Sequence, residues 1–184
     1  MNVYDWDKTI FDGDSTFGMV MYAYTHRPKT LLSIPRTAFF GLLYGLHIVD
    51  KLTFKQNMYH MFVMIDDMEA FVDEYTDTHM NRIKQWYKDQ QREDDLVISA
   101  SPEFLIGSFC RKAGIRHYMA SVVDIHTGKH TGINCHGKEK VRRFREAYPD
   151  AVIEEFYSDS RSDSPLAEIS EKAFLVKGSE RVPW

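Results

Sequence analysis

Five short apolar segments of β-type composition recur along the chain, and helical patterns separate the later ones. The segments cover residues 1–4, 95–99, 117–123, 151–157 and 173–176. Several are continuously apolar instead of alternating, which is typical of strands covered on both faces of a parallel sheet. Alternation of such strands with helices predicts an α/β fold built on a doubly wound, mostly parallel, Rossmann-like sheet.

Two of the helical patterns carry start and stop signals. Ser101 and Pro102 predict an N-cap followed by proline in the first turn, and Gly114 predicts the end of that helix. Ser164 and Pro165 repeat the cap-and-proline pattern near the end of the chain. Each pattern follows a predicted strand, as a doubly wound sheet requires.

Residues 15–92 differ in kind from the rest of the chain. They contain no convincing strand and are rich in Met, Tyr and Phe. Asp66 followed by Glu69 predicts a capping box at the start of their clearest helix, and Pro28 and Pro35 divide the earlier part into several helices. We therefore expect an all-helical cap at residues 15–92, inserted into an α/β core made of residues 1–14 and 93–184.

The most apolar run of the chain covers residues 38–49. It is well short of the ~20 residues that a membrane-spanning helix needs, so no transmembrane segment is expected. We favour a helix buried within the cap. Two alternatives are an interfacial helix, with Arg27, Lys29 and Arg36 near lipid head groups, and a contact between two copies of the chain. The oligomeric state stays open.

Charge and cysteine content narrow the class of protein. The net charge of −4 argues against a nucleic-acid partner, which usually requires a basic excess. Cys110 and Cys135 are too few for a disulfide framework and suit a reducing compartment. The first residues are polar and acidic, unlike a secretory signal, and so we expect a cytoplasmic protein.

Polar residues follow the predicted strands at the edge of the sheet where ligands bind in open α/β folds. They are Asp5, Asp7 and Thr9 after the first strand, Ser99 after the second, Lys138 and Lys140 after the third, and Asp159 and Asp163 after the fourth. Oxygen ligands of this kind suit Mg²⁺, and a lysine with hydroxyl groups suits a phosphoryl group. A carboxylate can also act as the nucleophile and form an aspartyl-phosphate.

Four short motifs carry a resemblance to a known family. YDWDKT resembles the first motif of the haloacid dehalogenase (HAD) superfamily, LVIS the second, GKEK the third and YSDSRSD the fourth, and they occur in that order. The helical block between the first two motifs is similar in position to the cap of the phosphoserine-phosphatase-like branch. The resemblance implies an Mg²⁺-dependent phosphomonoester hydrolase that works through an aspartyl-phosphate.

The resemblance also implies a role for each matching residue. Asp5 would be the nucleophile and Asp7 the general acid and base. Thr9 would shape the loop that receives the phosphate, and Ser99 would hold the phosphoryl oxygens. A lysine of GKEK would neutralise charge, and we prefer Lys140 to Lys138 because it precedes the apolar face of its helix.

The implied magnesium site takes its ligands from two ends of the chain. Asp5, Asp159 and the backbone carbonyl of Asp7 would hold Mg²⁺, and Asp163 would support or complete the metal shell. Asp163 has an equally good structural explanation, because it directly precedes Ser164 and could cap the following helix.

The substrate is open between several classes. A small phosphorylated metabolite such as phosphoserine is the first expectation, and Asp14 stands near the position where phosphoserine phosphatases carry the glutamate that recognises the substrate amine. No arginine for the substrate carboxylate can be assigned. A lipid phosphate, with the apolar run facing a membrane, is the alternative. A phosphorylatable signalling domain and a non-catalytic phosphate-binding protein are alternatives of another class.

A second cluster of potential metal ligands lies in the segment DIHTGKHTGINCH. It contains His126, His130, Cys135 and His136, but their spacing fits no common structural zinc pattern. The two Thr-Gly pairs favour turns, and we expect a surface hairpin.

Overall fold

The computed structural model describes residues 1–184 and contains one six-stranded sheet. Its strands are β1 (Val3–Tyr4), β2 (Leu96–Pro102), β3 (His117–Ser121), β4 (Ile153–Ser158), β5 (Ser170–Lys177) and β6 (Glu180–Pro183). Their order across the sheet is β3-β2-β1-β4-β5-β6, and all neighbours pair in parallel except β5 and β6. The predicted α/β fold with a mostly parallel, doubly wound sheet is confirmed. The antiparallel strand β6 is an addition that the sequence did not predict.

Only helices lie between β1 and β2. They are α1 (Ser15–His26), α2 (Ile34–Gly45), α3 (Lys51–Tyr59), α4 (Met68–His79) and α5 (Gln85–Lys88), joined in part by the 3-10 segments Pro28–Ser33, His60–Met64 and Met80–Arg82. The later helices are α6 (Glu103–Ala113), α7 (Lys138–Ala147) and α8 (Ser164–Ala167), and α8 follows the 3-10 turn Arg161–Asp163. No helix has the length and apolar character needed to cross a membrane.

Three of the predicted helix caps differ in the structure. The N-cap of α4 is Asp67, whose carboxylate accepts the Ala70 N–H at 2.9 Å, so the capping box placed at Asp66 was wrong by one residue. Ser101 is not the cap of α6, because β2 continues through Pro102 and takes Ser101 into the sheet. Ser164 is the first residue of α8 and not its cap.

The end of α6 agrees with the sequence. Gly114 adopts the left-handed conformation, with φ of 73°, and no side chain or backbone atom crowds the position. A left-handed residue after the last turn is the common way for a helix to stop, and glycine adopts it without steric cost. This prediction is confirmed.

The sheet is covered on both faces, and one of the two hydrophobic clusters also includes the helical insertion. That cluster joins Trp6 and Phe11 after β1, Phe109 of α6 and Tyr75 of α4, all fully buried. The cluster on the other face packs β1, β2 and β4 against α7 and α8. Because the insertion shares its core with the sheet, the division into a core and a cap at residues 14 and 92 stays a prediction from the sequence.

Helix α2, which contains most of the apolar run, has no buried residue. Tyr44 stacks on Phe54 of α3 with ring centroids 5.5 Å apart, and Gly41 also faces that ring. Several other apolar side chains of the run, such as Leu42 and Leu46, are more than half exposed, and the rest are half-buried at most. The prediction of a buried cap helix was therefore wrong, because no other element covers the outer faces of α2.

Candidate active site

The loop after β1 separates its acidic side chains from its aromatic one. Trp6 is fully buried and packs against Phe109, with ring centroids 5.3 Å apart, while Asp5 and Asp7 face the opposite way, into a cavity. Successive side chains of an extended chain point to opposite sides, which explains the Asp-Trp-Asp order. Lys8 then adopts a left-handed conformation, with φ of 59°, and its N–H bonds to the Gly13 carbonyl at 2.9 Å, so the chain turns back over the site.

A lysine lies between two carboxylates at the centre of the site. The Lys140 ammonium donates to Asp5 Oδ1 at 2.7 Å and to Asp163 Oδ2 at 2.8 Å, and only 2% of its side chain is exposed. Lys138, two residues earlier at the start of α7, is exposed and forms no ion pair. The structure therefore brings Lys140, and not Lys138, to the carboxylates.

Asp163 does not act as a helix cap through its side chain. It occupies the N-cap position of α8, but its carboxylate makes no capping bond there. Its Oδ2 also accepts the Ser158 hydroxyl at 2.8 Å, whereas its Oδ1 is buried without a hydrogen-bond partner. Burying a carboxylate oxygen without a hydrogen-bond partner destabilises the folded protein. Asp163 Oδ1 is therefore available to accept a bond from a ligand of the site.

Thr9 links the first and fourth motifs. Its hydroxyl oxygen accepts a hydrogen bond from the Asp159 N–H at 2.9 Å. The same hydroxyl donates a longer hydrogen bond, of 3.5 Å, to Asp5 Oδ2. Asp5 and Asp159, which are far apart in sequence, are therefore neighbours at the carboxyl ends of β1 and β4. Both line the same cavity.

Asp7 is held by hydroxyl groups that the sequence analysis did not assign to the site. Its Oδ1 accepts the Ser15 N–H and the Ser15 hydroxyl, each at 2.6 Å, and its Oδ2 accepts the Ser101 hydroxyl at 2.5 Å. Thr16 donates in turn to Ser101 at 2.8 Å. The Asp-Ser-Thr start of α1 and the Ser-Ala-Ser end of β2 were the available signals.

Ser99 lies at the floor of the cavity near the carboxylates. Its hydroxyl is buried and accepts the Ser101 N–H at 3.1 Å. This hydroxyl donates to no protein atom, so its hydrogen can point towards a ligand in the cavity.

Burial and mutual repulsion favour protonation of the carboxylates. Burial raises the pKa of Asp5 to about 7, with the charges of Asp163 and Asp7 acting in the same direction against Lys140. Burial also raises the pKa of Asp7 and of Asp159. Although burial opposes it, the two carboxylates raise the pKa of Lys140 and keep it charged. The site thus has more negative charge than one ammonium can neutralise.

The donor set fits a hard divalent cation. No three His, Cys, Asp or Glu side chains converge on one point anywhere in the chain. Mg²⁺ needs only one or two carboxylates when water and substrate oxygens complete its shell, and the unpartnered Asp163 Oδ1 and the shifted pKa values are what a missing positive charge would leave. Asp5 and Asp159 are the residues that would hold the ion.

The second cluster of potential metal ligands does not come together. His126 lies 3.4 Å from Glu69, the His130 ring stacks on Tyr59, and Cys135 is buried in the core. The expected hairpin is present in short form, as a turn at Asp124–Gly128 followed by a single antiparallel bridge.

The carboxylates lie at the bottom of a cavity of about 500 Å³. Its upper wall is formed by α1, α2 and α3 and is largely apolar, with Phe17, Val20, Met21, Tyr24, Tyr44, Phe54 and Met58. Lys51 and Lys55 are the basic residues of this wall, and no arginine lines the cavity. Asp14 also lines it, although one of its oxygens accepts the Phe17 N–H as the N-cap of α1.

The structure is that of a Rossmann-like α/β protein that places an acidic motif at the carboxyl end of the first strand of its sheet. Residues 3–168 match the family model of haloacid dehalogenase-like hydrolases. The chain therefore belongs to this family, and the membership expected from the four motifs is confirmed.

One known protein resembles the chain in sequence, and others resemble it in fold. It is 36% identical over 93 residues to the probable phosphatase Rv3661 of Mycobacterium tuberculosis, a match that spans 45% of this chain and 31% of that protein. A protein of unknown function from Bordetella pertussis has a similar fold, with a TM-score of 0.75, 17% identity and coverage of 95% of this chain and 88% of its own. A phosphoserine phosphohydrolase-like protein from Francisella tularensis superimposes with a TM-score of 0.59, 14% identity and coverage of 97% and 88%.

Replacing Lys140 with methionine should lower the free energy of unfolding at neutral pH by about 3–5 kcal/mol, because two buried carboxylates lose their opposite charge. Folding raises the pKa of Asp5 to about 7, so its protonated form stabilises the protein at low pH and that stability is lost as pH rises through this value. Without Lys140 the pKa rises further, and the deficit should shrink towards about pH 5.

Urea unfolding in EDTA at about pH 5 and about pH 7.5 measures both effects. The matched control is Lys138→Met, which removes an exposed lysine of the same helix and should change stability by less than about 0.5 kcal/mol. Equal stability of the two variants at both pH values would contradict the central ion pair.

Proposed function

We propose that the chain is an Mg²⁺-dependent phosphomonoester hydrolase that works through an aspartyl-phosphate on Asp5. The observation that carries the proposal is the arrangement of two carboxylates on one turn. Asp5 is held by Lys140 at the bottom of a cavity, and Asp7, two residues later, lines the same cavity within a cage of hydroxyl donors. One carboxylate is thus available to attack and the other to transfer a proton.

In the first half-reaction a carboxylate oxygen of Asp5 attacks phosphorus, and the bond between phosphorus and the leaving oxygen breaks. The carboxyl group of Asp7 gives its proton to that oxygen, and the alcohol leaves. In the second half-reaction Asp7 takes a proton from water as the water oxygen attacks phosphorus. The bond between Asp5 and phosphorus then breaks and inorganic phosphate is released, which restores both carboxyl groups.

The surrounding residues position the nucleophile and neutralise the negative charge of the phosphoryl group. Lys140 keeps its charge because Asp5 and Asp163 raise its pKa, and it fixes the orientation of the nucleophile. Ser99 has a free hydroxyl hydrogen for a phosphoryl oxygen. Bound Mg²⁺, held by Asp5, Asp159 and the Asp7 carbonyl with Asp163 behind them, would supply the positive charge that a phosphate needs beside carboxylates.

The cavity favours an enzyme over the other classes of protein considered. A signalling domain that is phosphorylated on an aspartate needs no cavity above it, whereas here α1, α2 and α3 form one wall of a cavity of about 500 Å³ over the proposed nucleophile. The word phosphatase in the name of the Mycobacterium relative supports the same reaction class. Phosphoserine fits less well, because no arginine lines the cavity and the wall offers only Lys51 and Lys55 for the substrate carboxylate.

The substitution Asp5→Asn should lower kcat for p-nitrophenyl phosphate by at least about 10³-fold, because the amide cannot act as the nucleophile. Hydroxylamine-sensitive labelling of the protein by the substrate should disappear in parallel. The matched control is Asp12→Asn, the same change at an exposed position of the same loop. Activity within about tenfold of the wild type in Asp5→Asn would remove Asp5 from the nucleophile role.

Chelation by EDTA should abolish phosphate release, and Mg²⁺ should restore it, because an all-oxygen donor set prefers a hard cation. Mg²⁺ should also raise the thermal unfolding midpoint by mass action, which is a readout independent of activity. Asp159→Asn should weaken both effects, whereas Asp150→Asn, at an exposed site, should leave them unchanged. Recovery with Zn²⁺ alone would overturn the assignment of the metal.

The substitution Ser101→Ala should lower kcat by about 10-fold through Asp7. Burial raises the pKa of Asp7, and the hydrogen bonds from Ser101 and Ser15 lower it. Removing one donor should therefore raise this pKa, so the basic limb of the kcat/KM profile, where Asp7 loses the proton that it gives to the leaving oxygen, should move to higher pH. Ser121→Ala, which removes a hydroxyl of β3 that does not touch Asp7, should not move it. An unshifted profile in Ser101→Ala would contradict the positioning role.

A further inference from the structure

An exposed apolar surface lies on α2 and in the segments that precede and follow it. It consists of Leu31, Leu32, Ile34, Phe39, Leu42, Leu46 and Ile48, whose exposed fractions range from 41% to 79%. Phe39, Leu42 and Leu46 follow the i, i+3, i+7 spacing and so lie on one face of α2 and its end. Large side chains grouped in this way mark a binding surface more often than an accident of composition.

Helix α2 carries both the apolar surface and part of the cavity wall. Tyr44 lines the cavity from α2 and is itself 38% exposed. Phe17 and Met21 of α1 also line the cavity, with 58% and 45% of their surface exposed. The apolar lining of the cavity therefore reaches the outer surface of the protein along α1 and α2.

This part of the chain is basic although the whole chain is acidic. Residues 27–65 contain five Lys and Arg residues and one acidic residue, whereas the whole chain has a net charge of −4. Arg27 pairs with Glu74 and Lys29 with Asp66, but Arg36 and Lys51 have no acidic partner. Positive charge beside an apolar helix face is the combination that binds an anionic lipid surface.

The positive charge near the apolar surface and the length of α2 indicate what kind of partner binds there. A symmetric dimer would place the same basic patch against itself, so like charges would meet across the contact. At ~1.5 Å per residue, the 12 residues of α2 are about 18 Å long, against the ~30 Å of a bilayer core. The helix is therefore suited to lie in the plane of a membrane interface and not to cross it.

We propose that the exposed apolar surface docks on an anionic bilayer and that the substrate is the phosphomonoester headgroup of a lipid. The phosphate would reach Asp5 while the first part of the apolar tail lies along Phe17, Tyr44 and Phe54. This inference rests on the proposed phosphomonoesterase activity for its substrate and on the surface alone for its docking. It explains why the wall above a charged site is apolar and why α2 is left uncovered.

Sedimentation with vesicles of phosphatidylcholine and phosphatidylglycerol in equal parts tests the docking step. The wild type should bind these vesicles, and binding should fall as salt is raised. The double variant Phe39→Ser/Leu42→Ser should reduce the bound fraction by about 10-fold or more. The matched control Ile133→Ser/Val152→Ser removes two equally exposed apolar side chains elsewhere and should bind like the wild type.

Phosphate release from vesicle-borne phosphatidic acid and from p-nitrophenyl phosphate tests the substrate step. Phe39→Ser/Leu42→Ser should lose lipid turnover by a factor similar to its loss of binding. Its kcat/KM for p-nitrophenyl phosphate should stay within about twofold, because neither residue lines the cavity. Water-soluble dibutyryl phosphatidic acid should be hydrolysed by both proteins, which separates the docking contribution from the chemistry.

The outcomes distinguish this inference from the proposed function. Failure of the wild type to bind anionic vesicles, or its assembly into a dimer that Phe39→Ser/Leu42→Ser dissociates, would overturn the docking surface. Hydrolysis of p-nitrophenyl phosphate without hydrolysis of either phosphatidic acid would overturn the lipid substrate. Absence of all phosphate release would overturn the proposed function, and binding by the Asp5→Asn variant would still support the docking surface.

Discussion

The buried ion pair of Lys140 with Asp5 and Asp163 is the interaction on which the site depends. Removing three charges from water is unfavourable unless they neutralise and hydrogen-bond one another, and here the lysine reaches both carboxylates at short distance. The contact joins the ends of β1 and β4 to the first turn of α7, although Asp5 and Lys140 lie 135 residues apart. It fixes the orientation of Asp5 before any ligand arrives.

The same arrangement leaves a shortage of positive charge. Asp7 and Asp159 line the cavity beside Asp5, burial raises the pKa of all three, and one oxygen of Asp163 has no partner. A phosphate dianion would be repelled by such a site, and the proposed Mg²⁺ would offset that repulsion. The hydroxyl donors around Asp7 hold the proposed proton-transferring group in place without adding charge.

The sequence predicted the parallel sheet and the position of the polar residues at one edge of it, because both follow from local order. Strands that run in parallel bring their carboxyl ends to one edge, so residues after each strand had to meet. Ser101 was missed because its Ser-Pro signal is that of a helix cap, whereas pairing of Pro102 with Ser121 extends the strand past it. Strand β6 has no apolar run of its own, and its pairing with β5 defines it. The burial of α2 was mispredicted because hydrophobicity does not show whether another element covers a helix.

The central claim is that Asp5, Asp159 and a cation form one centre that receives a phosphoryl group. A crystal structure of the protein with Mg²⁺ and beryllium trifluoride, which mimics a phosphoryl group on a carboxylate, tests it most directly. We expect beryllium to be bonded to an Asp5 oxygen, with Mg²⁺ ligated by Asp5 and Asp159 and with Lys140 beside the fluorides. A metal bound elsewhere, or beryllium on another residue, would contradict it.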